Sequence, residues 1–419
     1  MMDKARALDA DDPLRRFRDA FTLPHGADGK PLVYLSGHSL GLAPLQAREL
    51  VNEELDDWDQ LAVLGHHAGR RPWIGYAEQL QEGLAGITGA KPTEVVAMNS
   101  LTVNLHLLMA SFYRPTAQRH RIVIEAGAFP SDRHAVSSQI AWHGFDPSES
   151  LIELAPHLGA DVLEESQLEA LLAERGDRIA LVLWPGVQYL TGQVFDIPRI
   201  ASATHRAGAL CGIDLAHSIG NLPLRLHESK VDFATWCSYK YLNAGPGAIG
   251  GAFVHSRHSR KELPGLAGWW GHDPATRFLM GPTFAPAAGA AGWQVSNPPI
   301  LSTAPLLASL RVFDEAGMPA LRAKSLALHG LLRDAIENRF AGTFACVTPG
   351  EDARHGCQLS LRMRGHRDSG RQVFERLQKL GVVADWREPD ILRVAPVPLY
   401  NSFADVATFV ERLEQALAT

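Results

Sequence analysis

Two short apolar runs in the middle of the chain each end in a residue that can carry chemistry. The first run, 209–213, is followed by Asp214, and the second, 231–237, is followed by Ser238, Tyr239 and Lys240. Runs of this kind are typical of buried parallel strands, whose carboxyl ends meet along one edge of a sheet. We therefore expect Asp214 and Lys240 to be neighbours at one edge of an α/β sheet.

A lysine and a carboxylate in this arrangement suit pyridoxal 5′-phosphate (PLP). A poorly solvated lysine near other cations loses proton affinity and becomes a nucleophilic amine. PLP chemistry needs such an amine for a Schiff base and a carboxylate that keeps the pyridine nitrogen protonated. Lys240 and Asp214 would fill these two roles. A capped strand end followed by a surface lysine fits the spacing equally well.

The rest of the chain predicts strands that alternate with helices. This rhythm favours a mostly parallel sheet covered by helices on both faces. From about residue 303 the pattern changes to a smaller α+β domain. We expect an N-terminal segment that packs with this small domain (1–65), a large cofactor-binding domain (66–302) and the small domain itself (303–419). Apolar runs predict strands at 95–98, 121–125, 179–184, 248–254, 343–348, 356–362 and 391–395.

Composition and charge exclude several classes of protein. The chain has 419 residues, 46% of them hydrophobic and 21% charged, and a formal charge of −6, which gives no reason to expect a nucleic-acid partner. The four cysteines lack C-x-x-C spacing, and adjacent histidines such as His66 and His67 point apart in a strand or loop, so we expect no metal site. The N-terminus has no apolar signal sequence and no run could span a membrane, which predicts a cytoplasmic α/β enzyme.

Ten segments of the chain, in this order, resemble the kynureninase family of PLP enzymes, which have the aspartate aminotransferase fold (fold type I). The similarity extends from about residue 13 to the end. The matching segments are YLSGHSLGLAP, GHHAGRRPW, LTVNLHLL, AFPSD, GVQYLTGQ, DLAHSIGN, WCSYKYLNAGPG, GWWGH, SNPPI and RVAPVPLYNSF.

This resemblance implies PLP-dependent hydrolysis of L-kynurenine or 3-hydroxy-L-kynurenine to anthranilate or 3-hydroxyanthranilate and L-alanine. It implies that Lys240 carries the Schiff base and moves the α-proton, that Tyr239 contacts the phosphate and takes part in proton transfer, and that Asp214 pairs with the pyridinium nitrogen. The other cofactor-binding residues that it implies are Leu101, Thr102, Phe129, Pro130, Ser131, Asp132, His217, Trp269 and Asn297.

The same resemblance implies a substrate site and a homodimer. Arg393 matches the residue that grips the substrate carboxylate, a role suited to a guanidinium fork. Ser39 and His66 match residues near the aryl end of the substrate. Asn297 is expected to reach the phosphate of a neighbouring subunit, so the active sites would lie at the interface of a homodimer.

Two positions depart from the family pattern. Trp270 stands where the family often has phenylalanine, and Pro185 stands where some members have a serine that contacts the cofactor. Trp270 could change the size of the aryl pocket. Ser296, Asn297 and His66 resemble members that favour the 3-hydroxylated substrate, so we expect 3-hydroxykynurenine to be used at least as well as kynurenine.

Two alternatives stay open on the sequence alone. A cysteine desulfurase or selenocysteine lyase would share the fold, but its reaction needs a reactive cysteine on a mobile loop. The candidate, Cys357, opens the apolar strand CQLSL and is expected to be buried. A non-catalytic protein of the same fold is the other alternative, and the presence of Asp214, Tyr239, Lys240 and Arg393 argues against it.

Overall fold

The computed structural model of the chain describes residues 1–365 and 367–418, with side chains for all of these except 367 and 368. The expected end of the small domain, residue 419, lies outside the described residues. The strands are β1 Val33–Tyr34, β2 Val95–Ala97, β3 Arg121–Glu125, β4 Leu151–Leu154, β5 Ile179–Pro185, β6 Leu210–Asp214, β7 Phe233–Trp236, β8 Gly251–Val254, β9 Phe344–Cys346, β10 Leu359–Met363, β11 Val382–Val383, β12 Asp385–Arg387 and β13 Ile391–Val394.

Helices connect and cover these strands. The helices are α1 Met2–Ala10, α2 Leu45–Leu61, α3 Gly65–Ala68, α4 Gln81–Thr88, α5 Leu101–Phe112, α6 Pro130–Trp142, α7 Pro147–Ser150, α8 Glu165–Arg175, α9 Ile197–Arg206, α10 Leu226–Ser229, α11 Ile300–Ala316, α12 Met318–Arg339, α13 Arg367–Lys379 and α14 Phe403–Ala418. Within the described ranges, no helix combines the length and the apolar character needed to cross a lipid bilayer.

A seven-stranded sheet in the order β2-β8-β7-β6-β5-β3-β4 forms the centre of the fold. Its pairs from β7 to β4 are parallel, and only β8 runs antiparallel to its neighbours. Ile122 and Ile124 pack with α5 and α6 on one face, while Val123 packs with α8 and α9 on the other. Because side chains of a strand alternate between faces, both faces are buried. The prediction of a mostly parallel sheet covered on both faces is confirmed.

The C-terminal part builds a second sheet, which is antiparallel and has the order β12-β13-β10-β9. The N-terminal segment joins this part of the fold, since β1 pairs in parallel with β11. The Asp9 carboxylate also accepts the backbone N–H groups of Phe403 (2.7 Å) and Ala404 (2.9 Å), which caps the start of α14. The three domain boundaries expected from the sequence stay a prediction.

Several local expectations differ from the structure. His66 and His67 lie in the short helix α3, so their expected place in a strand or loop is wrong. The edge strand β4 was not predicted because its residues are only partly buried and form no buried apolar run. The two-residue strand β11 is too short for any periodic signal.

Candidate active site

A pocket opens at the carboxyl ends of the parallel strands. Glu125 ends β3, Pro185 ends β5 and Asp214 ends β6, and all three line this pocket together with Lys240. The pocket contains about 820 Å³ of empty space, counted with its open mouth. This volume suits a small-molecule or cofactor site.

Lys240 enters the pocket from the turn that follows β7. Its Nζ lies 3.0 Å from Nε2 of His217 and 5.7 Å from the ring centre of Phe129. Burial, and then the positive charge of Lys240, hold the pKa of His217 well below its ordinary value. The imidazole is therefore neutral at neutral pH, and Nε2 can accept a hydrogen bond from the amine.

The backbone around Lys240 is held by a close approach of Gly41. The Gly41 N–H donates to the Tyr239 carbonyl at 2.8 Å. A Cβ atom at Gly41 would lie 2.3 Å from the Lys240 carbonyl oxygen and 2.2 Å from Oδ1 of Asn243. Asn243, with φ of 53°, closes the turn by donating its N–H to the Lys240 carbonyl at 2.9 Å. A larger residue at position 41 would therefore displace the turn that carries the lysine.

Three carboxyl groups, those of Glu125, Asp132 and Asp214, line the pocket. Asp214 is oriented by the Ala216 N–H, which donates to its Oδ1 at 2.6 Å. Burial, followed by the negative charge of Asp214, raises the pKa of Asp132 well above its ordinary value. Burial also raises the pKa of Glu125 to about 8, with a smaller contribution from Asp214. A protonated ring nitrogen placed beside Asp214 would be stabilised by this environment.

Two helix starts also line the pocket. Leu101 and Thr102 begin α5, and Pro130 and Ser131 begin α6. The Thr102 and Ser131 hydroxyl oxygens are 2.6 Å apart. The first N–H groups of a helix lack partners within that helix, and its dipole favours negative charge there. Two such termini with paired hydroxyls make a site for an anion such as a phosphate ester.

Two aromatic side chains, Phe129 and Tyr189, also line the pocket. The Phe129 ring is 41% exposed and meets the Tyr189 ring edge-on, with 5.3 Å between centroids. Lys240 lines the same pocket, and its Nζ lies 5.7 Å from the centre of the Phe129 ring. A flat heteroaromatic ring could stack on this exposed phenyl face.

Arg393 reaches the pocket through Tyr189. Its guanidinium, 1% exposed, donates from Nε to Asp385 Oδ2 at 2.6 Å and from Nη1 to the Tyr189 carbonyl at 2.6 Å, and its Nη2 also pairs with Asp385. These contacts use three of the five N–H donors of an arginine. The remaining donors can serve a carboxylate ligand.

His38 adds a second buried imidazole to this region. Its Nε2 lies 3.7 Å from Asp385 Oδ2, and neither ring nitrogen has a hydrogen-bond partner among the described residues. Burial, and then the charge of Arg393, lower the pKa of His38 to about 4. His38 is therefore a neutral group with unused hydrogen-bonding capacity.

Six residues expected at the site do not line this pocket in the single chain. Ser39 is partly buried within the SGHSLG turn, and His66 packs on the ring of Trp73. Trp269 is 48% exposed and Asn297 is exposed. The other predicted side chains line the pocket, except Pro130, which begins α6, and Arg393, which contacts Tyr189.

Sequence reasoning missed four residues of this region: Glu125, Tyr189, Asp385 and His38. Glu125 had the same signal as Asp214, since both are acidic residues at the end of an apolar strand. His38 and Tyr189 lie inside the quoted segments YLSGHSLGLAP and GVQYLTGQ without an assigned role. No sequence pattern points to Asp385, because its pairing with Arg393 depends on the register of β12 against β13.

The cysteines do not provide a reactive thiol at the pocket. Cys357 is fully buried, and burial raises its pKa to about 12. Cys237 lines the pocket, but burial raises its pKa as well. A thiol with a raised pKa is a poor nucleophile at neutral pH. The structure therefore gives no support to a desulfurase mechanism through Cys357.

Comparisons with known proteins agree with this arrangement. The family model "Aminotransferase class-V" matches residues 33–366, and "Kynureninase C-terminal domain" matches residues 321–413. The chain is 57% identical over 411 residues to a kynureninase of Xanthomonas campestris pv. campestris (strain B100), which covers 98% of this chain and 96% of that protein. It is 56% identical, over 98% of this chain and 97% of the other, to a kynureninase of Stenotrophomonas maltophilia (strain K279a).

Solved structures share the fold at much lower identity. The cystine C-S lyase C-DES, in complex with its product cysteine persulfide, superposes with a TM-score of 0.76 at 18% identity, covering 91% of this chain and 97% of that chain. The cysteine desulfurase CsdA of Escherichia coli gives a TM-score of 0.73 at 20% identity, covering 97% and 98%. At this identity the likeness establishes the fold and not the reaction.

Proposed function

The chain belongs to the kynureninase family, and we propose that it uses pyridoxal 5′-phosphate to hydrolyse L-kynurenine, 3-hydroxy-L-kynurenine or both. The products would be anthranilate or 3-hydroxyanthranilate and L-alanine. The single observation that carries the proposal is the position of Lys240, whose amine contacts neutral His217 in a pocket that also holds Asp214 and an anion site.

The pocket residues fit PLP as a group. Asp214 would hold the ring nitrogen, and the starts of α5 and α6 would hold the phosphate. The buried Oδ1 of Asp132 and Nδ1 of His217 have no partner among the described residues, so each can still bond to a ligand. Phe129 would offer its exposed ring face for stacking with the pyridine ring of the cofactor.

The bound cofactor would supply an electron sink for the cleavage of the carbon–carbon bond in the side chain of the substrate. Lys240 would move the α-proton, since its amine lies in the pocket where the substrate would bind. His217 can hold the amine in place through Nε2. Burial raises the pKa of Tyr239, so its hydroxyl stays protonated and can donate to the phosphate.

Arg393 would bind the substrate carboxylate. Asp385 and the Tyr189 carbonyl fix the guanidinium, and an ion pair between a guanidinium and a carboxylate has two-point geometry. Ser39 and His66 would contact the aryl end of the substrate once the assembly described next has formed.

We also propose a homodimer with the active sites at its interface. The loop 264–284 exposes a set of large apolar side chains, namely Leu266 (61%), Trp269 (48%), Phe278 (54%), Leu279 (76%) and Met280 (74%). Exposed apolar groups of this extent mark interaction surfaces. A second copy would cover them and would bring Trp269 and Asn297 to the neighbouring phosphate site. A fully active monomer in sedimentation at assay concentration would contradict this proposal.

The compartment and pathway are also proposals. The four cysteines are free, and three of them are buried, which suits a reducing compartment such as the cytoplasm. We propose that the reaction belongs to tryptophan catabolism and that its product can feed NAD biosynthesis.

The testing experiment is an assay of the purified protein with both substrates and with added PLP. Fluorescence of anthranilate or its 3-hydroxy derivative should rise, and Lys240→Ala should lower kcat by about 10²- to 10⁴-fold. The matched control is Lys261→Ala, which removes an exposed lysine. Borohydride should fix the cofactor to the peptide that contains Lys240. No product from either substrate would overturn the proposed function.

A further inference from the structure

Three potential metal ligands meet at the end of the seven-stranded sheet opposite to the pocket. They are Glu94, just before β2, His227 in α10 and His255, just after β8, and we call them the Glu94 cluster. One ligand atom from each residue lies within 4.8 Å of the other two. None of the three lines the PLP pocket, so the proposed reaction leaves them without a role.

The spacing of the cluster is close to that of a zinc site. Nδ1 of His227 lies 2.8 Å and Nδ1 of His255 lies 3.9 Å from Oε1 of Glu94. Tetrahedral Zn²⁺ with bonds of about 2.0–2.1 Å separates its ligand atoms by roughly 3.3–3.4 Å. Shifts of about half an ångström, which side-chain rotation can supply, would bring Nδ1 of each histidine to that distance from Oε1 of Glu94.

Neighbouring groups already orient the ligands. Nε2 of His255 faces the His227 carbonyl at 3.2 Å, which places the proton on Nε2 and leaves a lone pair on Nδ1. That lone pair accepts a hydrogen bond from the backbone N–H of Arg257 at 3.1 Å, and a metal ion would replace this bond. The Glu94 carboxylate is fixed by the N–H groups of Ser256 (2.8 Å) and Lys91 (2.9 Å). Such outer contacts are typical of metal-ligating histidine and carboxylate groups.

The cluster is buried on one side and open on the other. Glu94 is fully buried, whereas the His227 side chain is 33% exposed. An ion could enter past His227, and a water molecule could take the fourth position. Two imidazoles and one carboxylate suit a borderline divalent ion better than Mg²⁺ or Ca²⁺, which prefer oxygen ligands.

We propose that Glu94, His227 and His255 form a zinc site that joins the start of β2, helix α10 and the end of β8. The ion binds through one oxygen of Glu94 and Nδ1 of each histidine, and His227 takes the tautomer with its proton on Nε2. The role is structural, because the site lies at the amino end of the parallel strands. Bound zinc therefore stabilises the folded chain by mass action.

The test uses the PLP-loaded protein, dialysed against micromolar Zn²⁺ and then against metal-free buffer, with zinc measured per chain by mass spectrometry. Wild type should retain one zinc per chain and melt at a higher temperature with zinc than without it. His227→Asn and Glu94→Gln should each weaken zinc binding at least tenfold. Co²⁺ in place of Zn²⁺ should give the visible absorption of a four-coordinate ion in wild type but not in His227→Asn or Glu94→Gln.

The matched control is His205→Asn. His205 is also about one-third exposed (32%) and lies 2.9 Å from a buried carboxylate, that of Asp232, but it is not part of the Glu94 cluster. Its zinc binding should equal that of wild type. If Glu94→Gln fails to fold, His227→Asn at the exposed edge decides the question. Absence of retained zinc in wild type, or equal zinc in wild type and His227→Asn, would overturn the proposal.

Discussion

Arg393 donates from Nη1 to the carbonyl oxygen of Tyr189 at 2.6 Å, and this bond joins the two sheets at the wall of the pocket. Arg393 belongs to β13 of the four-stranded sheet, whereas Tyr189 follows β5 of the seven-stranded sheet. The guanidinium carbon also lies 5.9 Å from the Tyr189 ring centre. Any movement of the smaller sheet would therefore move the proposed carboxylate-binding group relative to Lys240.

The first prediction concerns Asp385, which orients Arg393. Asp385→Asn keeps the size of the side chain but removes its charge, so the guanidinium loses its ionic partner and becomes mobile. Loss of a hydrogen bond to a charged group costs about 1.5–3 kcal/mol, so we expect KM to rise by roughly 10- to 100-fold. Because Asp385 contacts Arg393 and not the reacting atoms, kcat should change less than KM.

The matched control for that experiment is Asp390→Asn. Asp390 pairs with Arg362 at 3.3 Å, on the same small sheet but at its surface. Surface ion pairs contribute little, so KM should be that of wild type. Equal effects of the two substitutions on KM would show that Asp385 has no positioning role.

The second prediction concerns Asp214. Asp214→Asn should still bind some PLP, because the helix starts and Phe129 are unchanged, but kcat should fall by about 10²- to 10³-fold as the neutral amide no longer stabilises the ring proton. Asp214→Glu keeps the charge and should retain more activity than Asp214→Asn. Absorbance of the bound cofactor and kcat are measured on the same samples. Near-normal turnover of Asp214→Asn would refute an electronic role for this carboxylate.

The fold was predictable where apolar runs and helical periods were long. Strands β3, β5, β6 and β7 are buried on both faces, and each stands out as an apolar run. The edge strand β4 is partly exposed and does not stand out as an apolar run. The pairing of β1 with β11 was not predicted either. Pairing between residues 33 and 382 is a tertiary event, and no local pattern encodes it.

The site was predictable only in its outline. Lys240 and Asp214 follow strands that are adjacent in the sheet, so spacing alone brings them to one edge. The contact of Lys240 with His217, the close approach of Gly41 and the pairing of Asp385 with Arg393 depend on loop conformations and on the placement of the second sheet. Such contacts can be found only after the two sheets are assembled.

The third prediction concerns the pH dependence of stability. Burial raises the pKa of Glu125 to about 8 in the folded protein, above the value of 4.5 for an unperturbed glutamate. Between these values the folded state keeps the proton and the unfolded state releases it. The free energy of unfolding therefore falls as the pH rises through this window, by at most about 1.4 kcal/mol per pH unit from this group.

Glu125→Gln removes this group, so the cofactor-free variant should lose less stability between pH 5 and pH 8 than wild type. A smaller slope should remain, because the pKa of Asp132 is raised for the same reasons. Chemical denaturation at several pH values measures the free energy of unfolding of each protein. Glu149→Gln, at an exposed position, is the control. Parallel curves for wild type and Glu125→Gln would contradict the raised pKa.

The fourth prediction concerns the choice between the two substrates and the ring of Trp270. Trp270 is 8% exposed, its ring lies 4.2 Å from the guanidinium carbon of Arg277, and its carbonyl accepts from Nη2 of that arginine at 2.7 Å. The indole is therefore held in one position. In the proposed dimer it would lie near the aryl site, beside Asn297 and His66.

Two effects then oppose each other at this site. A polar group that hydrogen-bonds a substrate hydroxyl disfavours the analogue lacking it, whereas a larger ring disfavours the added hydroxyl by only about 1–3 kcal/mol. We give the polar contacts more weight and expect kcat/KM for 3-hydroxykynurenine to equal or exceed that for kynurenine. Asn297→Thr should reduce this preference, and Trp270→Phe should leave it in place or increase it. A strong preference of wild type for kynurenine that Trp270→Phe reverses would show that ring size controls the choice.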